Sequence, residues 1–299
     1  EFATRAKIIA SENGYSNENW ELFAELGWLT VPFCEEDGGF GGSAVDLTVM
    51  MVEFGKANLV EPFTPTAILG GGLVSALGEK GQKLELLGPL MEGKLQLACA
   101  YAETGSRFNL SNVTTTATVE GDQVKLDGEK INVLNGSNAD KLLVVARESG
   151  AQTDRNGISI FLVDNGCDGL SIQPYTNVDG KKAAQIGFAS VSVPLSARLG
   201  EAGGALPALE AVIDRATVAV SAEAVGALEA LLQKTVEYSK TRKQFGTPIG
   251  TFQALQHRMA DMFIECQLAR SIVIMAAMKL DSTENDVEKS KAVSAAKSR

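Results

Sequence analysis

The spacing of apolar residues differs between the last third of the chain and its middle. In the last third, apolar residues recur at steps of three and four from Leu209 to Val236 and again from Leu255 to Met275. That spacing places them on one face of a helix. Two long amphipathic helices are therefore predicted, the first beginning near Pro207 and ending near Lys240. A third helix is predicted over Asp286–Arg299.

The first third shows the helical period in shorter stretches. Helices are predicted from Ser16 to Gly27, over Ala44–Lys56, over Ile68–Leu77 and over Lys80–Met91. Ser16 and Ser43 are N-cap candidates because a short hydroxyl side chain accepts a hydrogen bond from the free N–H groups of a first helical turn.

In the middle third, the period changes from helical to alternating. The alternating runs are Gln96–Tyr101, Val113–Val119, Gln123–Leu126, Lys141–Ala146, Gly157–Val163, Leu170–Gln173 and Gln185–Val193. Turn pairs such as Asp127-Gly128 and Asn156-Gly157 separate them, a pattern typical of an antiparallel β-barrel or β-sandwich. The predicted fold class is α+β, with an N-terminal helical domain over residues 1–94, a middle β domain over 95–200 and a C-terminal helical domain over 201–299.

Composition narrows the possible functions. The 299 residues carry a formal net charge of −10, which argues against nucleic-acid binding. The single histidine, His257, excludes a histidine-based metal cluster and lies beside no nucleophile motif. Four scattered cysteines suggest neither a zinc site nor a disulfide framework, so we expect a reduced, cytoplasmic compartment and no metal. No apolar run is long enough to cross a bilayer, and we expect no membrane association.

The stretch from Tyr238 to Gln253 joins the two long helices. Gly246, Pro248 and Gly250 end the first helix and redirect the chain. Arg242 lies in the last turn, where a cation offsets the negative end of the helix dipole. On this evidence alone, the stretch is a basic cap on an antiparallel helix pair.

The residues of this stretch resemble a known signature. Arg-Lys-Gln-Phe-Gly-Thr-Pro-Ile, followed by Phe-Gln-Ala-Leu-Gln-His-Arg-Met-Ala-Asp-Met, is similar to the signature of the acyl-CoA dehydrogenase family. The resemblance implies FAD as cofactor, an acyl-CoA substrate, an acceptor such as an electron-transfer flavoprotein, and a homo- or hetero-oligomeric dimer or tetramer. It implies that Arg242 meets the FAD pyrophosphate of a neighbouring subunit, with Gln244, Phe245 and Gln253 as further cofactor residues.

The resemblance is looser in the segments where the family contacts the flavin ring. The family's Thr-Glu-Pro-Gly-Ala-Gly-Ser corresponds to Tyr101–Phe108, in which Glu103 matches and Ala102 replaces the threonine. The family's Trp-Ile-Thr corresponds to Asn132–Leu134. The expected flavin contacts are therefore Tyr101, Glu103, Asn132 and Leu134, through backbone groups where the hydroxyls are lost. The variant resembles the small-subunit type of pimeloyl-CoA dehydrogenase; alternatively, these segments are simply loops of the β domain.

The resemblance also implies where the substrate and the catalytic base lie. Asp214 and Phe108 are expected near the acyl-CoA. The family takes the α-proton with a carboxylate, either on the helix at the positions of Ala216 and Thr217, or in a loop beyond the third helix of the bundle. Neither Ala216 nor Thr217 is a carboxylate. We expect the base beyond Arg299, in a C-terminal part that this sequence lacks.

Three functions remain open. The leading hypothesis is an FAD-dependent acyl-CoA dehydrogenase that desaturates the thioester by α-proton abstraction and hydride transfer to flavin N5. The second is a non-catalytic subunit that contributes Arg242 and Gln244 to an active homologue. The third is a relative of the acyl-CoA oxidases.

Overall fold

The protein is helical at both ends and β in the middle, as the sequence predicts. The computed structural model describes residues 2–282 and 285–299. Its helices are α1 (Phe2–Ile9), α2 (Asn17–Glu25), α3 (Ala44–Ala57), α4 (Gly72–Leu77), α5 (Lys80–Met91), α6 (Leu206–Thr241), α7 (Gln253–Leu280) and α8 (Asp286–Ser298). Its strands are β1 (Leu97–Ala100), β2 (Thr116–Glu120), β3 (Gln123–Leu134), β4 (Lys141–Arg147), β5 (Ile158–Asp164), β6 (Leu170–Thr176), β7 (Lys182–Pro194), β8 (Arg198–Leu199), β9 (Lys243–Gln244) and β10 (Thr247–Pro248).

Three local features differ from the predicted elements. The helix predicted over Ile68–Leu77 begins earlier, as a π-helical segment over Thr64–Gly71 that leads into α4. Strand β3 runs eight residues past its predicted end at Leu126 and so includes Asn132–Leu134. The link between α6 and α7 is a short hairpin formed by β9 and β10 rather than a simple cap. The two serine caps are confirmed, since the Ser16 and Ser43 side chains accept hydrogen bonds from the third residue of their helices.

Strands β1 to β8 belong to one sheet. Their order is β6-β7-β3-β2-β4-β5-β8, and β1 pairs with β4. Most pairs are antiparallel as predicted, but two pairs run parallel: β1 with β4, where Leu97 lies opposite Lys141, and β2 with β4, where Thr116 lies opposite Arg147. That prediction was wrong for these pairs because the loop after β1 brings the chain into β2 in the direction of β1, and β3 then reverses it before β4. One face of the sheet covers a core of Ala98, Leu126, Val133, Val144, Phe161, Ala184 and Ile186 with their neighbours.

The chain forms two compact units. The first comprises Glu1–Gly41 and Val60–Ile213, and the second comprises Gly42–Leu59 and Asp214–Arg299. The first unit contains both helices and the sheet.

In the second unit, helix α3 packs with the C-terminal helices. A Cβ atom at Gly55 would lie 1.8 Å from the Glu223 carbonyl oxygen, and one at Gly226 would lie 1.9 Å from the Val52 carbonyl oxygen. Both glycines are therefore required for the close approach of α3 and α6. The Asp281 carboxylate accepts hydrogen bonds from the backbone N–H groups of Ala44 and Val45 at 2.8 and 3.1 Å, which ties the end of α7 to the start of α3.

Within the described ranges, no helix combines the length and the apolar character that are needed to cross a membrane.

Candidate functional site

In the first unit, the end of β1 and the distal part of β3 lie side by side. The backbone N–H of Ile131 donates to the Ala102 carbonyl oxygen at 2.9 Å. This bond brings the segment of Tyr101 and Glu103 next to the segment of Asn132 and Leu134. The structure therefore joins two segments that the chain separates by about thirty residues.

Glu103 and Lys130 form a buried ion pair at this junction. The Lys130 Nζ lies 2.6 Å from the Glu103 Oε1, and the two side chains are 0% and 3% exposed. The other Glu103 oxygen accepts hydrogen bonds from the Thr114 backbone N–H and hydroxyl at 2.7 and 2.5 Å, and Oε1 also accepts one from the Thr115 N–H at 3.0 Å. The carboxylate thus fixes the start of β2 as well as β3.

The ionisation of this cluster follows from its contacts. Burial opposes the charge on Glu103, but Lys130 and the hydrogen bonds from Thr114 outweigh that effect and lower the pKa of Glu103 from 4.5 to about 2. Burial lowers the pKa of Lys130, and Glu103 opposes this change. Since the carboxylate has several donors besides the lysine, we take the pair as ionised at neutral pH. Burial also raises the pKa of the half-buried Tyr101 phenol.

The same junction contains an irregular backbone. The pairing of β3 with β7 shifts register between Lys130 and Val133, and Asn132 has a φ of 49°. A bulge of this kind redirects side chains and is common next to functional sites. Arg107, in the loop after β1, also has a positive φ of 48°. Left-handed backbone at non-glycine residues is uncommon, and both examples fall in segments that the resemblance assigns to the cofactor.

The loop between β1 and β2 carries Phe108, the predicted substrate residue, with a side chain that is 99% exposed. Two side chains for which the sequence gives no functional motif, Lys130 and Arg147, fix the ends of this loop through hydrogen bonds. Lys130 acts through Glu103 as described. Arg147 is buried, and its Nη2 donates to the Ser111 and Gln152 carbonyl oxygens at 2.8 and 3.0 Å. A charged residue near the end of an apolar strand is the only sequence signal for Arg147.

In the second unit, the predicted cofactor residues Gln244 and Phe245 lie on the β9–β10 hairpin, Arg242 directly precedes it, and Gln253 begins α7. Phe245 and Gly246 form its turn with φ angles of 54° and 81°. Positive angles at both positions define a tight hairpin turn, a conformation that is unusual for phenylalanine. Arg242, Gln244 and Gln253 are exposed. Among the described residues, the Arg242 guanidinium has no hydrogen bond or ion pair of its own.

Asp214 lies on α6, and its carboxylate accepts a hydrogen bond from the Ser290 hydroxyl on α8 at 2.5 Å. Two and three residues further along, Ala216 is 6% exposed and Thr217 is half-buried. The residues predicted for the cofactor and the substrate therefore fall into two groups, one in each compact unit.

The comparisons with known proteins agree with this architecture. Residues 1–94, 98–191 and 203–299 match the N-terminal, middle and C-terminal domains of acyl-CoA dehydrogenase, respectively. The probable acyl-CoA dehydrogenase YngJ of Bacillus subtilis is 31% identical over 286 residues, which cover 94% of this chain and 75% of that protein. The chain belongs to the acyl-CoA dehydrogenase family.

Further relatives extend the comparison. The subunit CarC of the caffeyl-CoA reductase-Etf complex of Acetobacterium woodii is 28% identical over 95% of this chain and 76% of its own length. The structure of butyryl-CoA dehydrogenase from Megasphaera elsdenii superposes with a TM-score of 0.84 at 28% identity, covering 94% of this chain and 77% of that one. A structure described as an FAD complex of PigA gives 0.89 at 25% identity, with 98% and 77% covered.

Proposed function

We propose that this chain is an FAD-dependent acyl-CoA dehydrogenase that desaturates an acyl-CoA thioester between Cα and Cβ. The observation that carries the proposal is the junction of the Tyr101–Glu103 and Asn132–Leu134 segments, joined by the bond from Ile131 to Ala102 at 2.9 Å. These are the two segments that the family resemblance assigns to the flavin ring. The relatives with known structures, among them one in complex with FAD, support the cofactor.

The donors on the chain have the chemistry that FAD requires. Arg242 presents an exposed guanidinium that can bind phosphate oxygens through two parallel hydrogen bonds, and Gln244, two residues further along the chain, adds an exposed amide. Near the ring segments, Leu134 and the half-buried Tyr101 supply apolar surface while Asn132 supplies an exposed amide. When bound, FAD would accept the hydride from the substrate Cβ.

Abstraction of the α-proton requires a catalytic base. A carboxylate must accept the α-proton, and neither Ala216 nor Thr217 provides one. Asp214 already accepts a hydrogen bond from Ser290. The matched relatives are longer than this chain, which spans 75% of YngJ. We therefore keep the proposal that the base is supplied by sequence beyond Arg299.

Assembly and electron transfer complete the proposal. Exposed apolar side chains continue along α6 and α7, with Leu231, Tyr238, Phe263 and Ile264 each more than half exposed. Such a surface is typical of an interaction site, and we propose that it joins subunits into a dimer or tetramer. CarC belongs to a complex with an Etf component, which supports an electron-transfer flavoprotein as the acceptor here. A monomer in sedimentation at micromolar concentration would contradict the proposed assembly.

A second function is favoured by one observation. Because Ala216 and Thr217 replace the carboxylate of the helix placement, the chain could serve as a non-catalytic subunit that contributes Arg242 and Gln244 to a partner. Dye-linked turnover of acyl-CoA thioesters separates the two functions. The test compares the 299-residue chain with a form extended by the natural downstream sequence.

We expect turnover only in the extended form. General-base catalysis contributes about 10²–10⁴-fold, so the difference should be of that order. Robust turnover by the 299-residue chain would contradict our placement of the base. Flavin binding without turnover in either form would favour the non-catalytic subunit.

A further inference from the structure

Tyr175 shares a sheet face with the predicted flavin residues of β3. The strand register places Tyr175 on β6 opposite Ala183 on β7, and Ala183 opposite Leu134 on β3. The neighbouring row, which contains Val133 and Ala184, faces the apolar core. Because side chains alternate between faces along a strand, Leu134, Ala183 and Tyr175 lie on the opposite face from that core.

Asn132 belongs to the same face and is in direct contact with Tyr175. The Tyr175 hydroxyl donates to the Asn132 Oδ1 at 3.4 Å. The Asn177 side-chain amide donates to the same oxygen at 3.3 Å. Asn132 is also the residue whose left-handed backbone marks the bulge in β3. Tyr175 is thus held at the end of the row that begins with Leu134.

The β3 segment itself lacks aromatic and hydroxyl groups. Where the family has Trp-Ile-Thr, this chain has Asn132, Val133 and Leu134. These side chains offer one amide and two aliphatic groups. Tyr175 brings both missing groups, an aromatic ring and a hydroxyl, to the same face, and its side chain is 40% exposed. A ring that remains accessible while its hydroxyl is anchored is suited to stack against a planar aromatic ligand.

We propose that Tyr175 is a flavin-binding residue whose ring packs against the isoalloxazine system and takes the place of the aromatic side chain absent from Asn132. The assignment rests on the proposed function, because it requires FAD to lie beside Asn132 and Leu134. The hydrogen bond to Asn132 sets the position of the ring on the sheet, while the ring itself provides the contact.

The test titrates FAD into the apo form of the full chain and records both the dissociation constant and the fluorescence of the bound flavin. The variants are Tyr175→Phe, which keeps the ring, Tyr175→Leu, which keeps apolar bulk, and Tyr175→Ala. Gln173→Ala is the matched control because Gln173 lies on the same strand and face and is exposed. Circular dichroism and thermal unfolding show whether each variant is folded.

Stacking on an aromatic ring contributes a roughly tenfold change in binding, or about 1.4 kcal/mol, so Tyr175→Ala and Tyr175→Leu should raise the dissociation constant for FAD about tenfold. Both should also increase the fluorescence of the bound flavin, since tyrosine quenches a stacked flavin. The dissociation constant of Tyr175→Phe for FAD should stay within about threefold of the parent's because this variant keeps the stacked ring. Gln173→Ala should match the parent in both measurements.

Two outcomes would overturn the assignment in distinguishable ways. If the parent binds FAD and the folded Tyr175→Leu variant matches it in both affinity and fluorescence, Tyr175 is not a flavin contact, and the proposed function stands. If the parent binds no FAD, the proposed function fails and the assignment fails with it.

Discussion

Lys130 and Glu103 form an ion pair whose Nζ and Oε1 atoms are 2.6 Å apart and whose side chains are almost completely removed from water. The pair connects the end of β1, the start of β2 and the bulge of β3, because Glu103 also accepts hydrogen bonds from Thr114 and Thr115. Lys130 lies two residues before Asn132 on β3, so the pair links the two segments that the family resemblance assigns to the flavin ring.

Removing one partner of this pair should destabilise the fold strongly. Glu103→Gln leaves a buried ammonium without its counter-charge, and we expect a loss of roughly 3–5 kcal/mol in the free energy of unfolding. Lys130→Met should cost a similar amount. The double variant should lose clearly less than the sum, since no charge is then left unpaired. Urea unfolding measures all three.

The control for this prediction is the exposed pair of Lys94 and Glu92, whose side chains are 73% and 61% exposed. Glu92→Gln should change the unfolding free energy by less than about 1 kcal/mol. Additive losses in the Glu103 and Lys130 variants would show that the two residues do not interact energetically.

The same pair gives a pH dependence with a defined sign. The pKa of Glu103 is lowered from 4.5 to about 2 in the folded protein. A lowered pKa means that the ionised carboxylate stabilises the fold above pH 4.5 and that this contribution disappears as the pH falls through about 2. The parent should therefore lose up to about 3 kcal/mol more than Glu103→Gln between these pH values. Equal losses in the two proteins would contradict the assignment.

The cap of α3 by Asp281 should have a smaller effect. Asp281→Asn weakens the acceptor for the N–H groups of Ala44 and Val45 and removes a negative charge from a helix N-terminus. We expect a loss of about 1 kcal/mol in the free energy of unfolding. Asp261→Asn is the control, because Asp261 is exposed on α7, the helix that Asp281 follows. An unchanged stability in Asp281→Asn would show that Ser43 alone caps the helix.

Sequence periodicity predicted the order of helices and sheet because local alternation determines which face of each element is apolar. It placed α2, α3 and α5 within a residue or two of their observed ends, and Ser16 and Ser43 mark the starts of α2 and α3. It did not reveal that β1 and β4 pair in parallel, because pairing depends on contacts far apart in the chain.

Candidate site residues could be proposed from the sequence only where they form a recognisable motif. The Arg242 stretch could be proposed from the sequence because its residues are contiguous. Lys130 was missed because the predicted strand ended at Leu126, and its role depends on Glu103, which lies far from it along the chain. The sequence gives no signal for Tyr175, because its strand β6 pairs with β7, and β7 in turn pairs with the strand that carries Asn132.

Arg242 is the predicted contact for the FAD pyrophosphate. Arg242→Ala should weaken FAD binding by roughly 1.5–3 kcal/mol, the range for a hydrogen bond to a charged group. Lys243→Ala is the matched control, since Lys243 is the next residue and is also exposed. Equilibrium titration of the apo form with FAD gives both dissociation constants. If the two variants bind FAD as tightly as the parent, the assignment of Arg242 is wrong.

The central claim is that this chain binds FAD, and the flavin content of the purified protein tests it most directly. The native protein is desalted and denatured, and the released cofactor is identified and counted against the chain concentration. We predict about one FAD per chain, or stoichiometric uptake when the apo form is supplied with FAD. A folded protein that carries no flavin and takes up none would contradict the account.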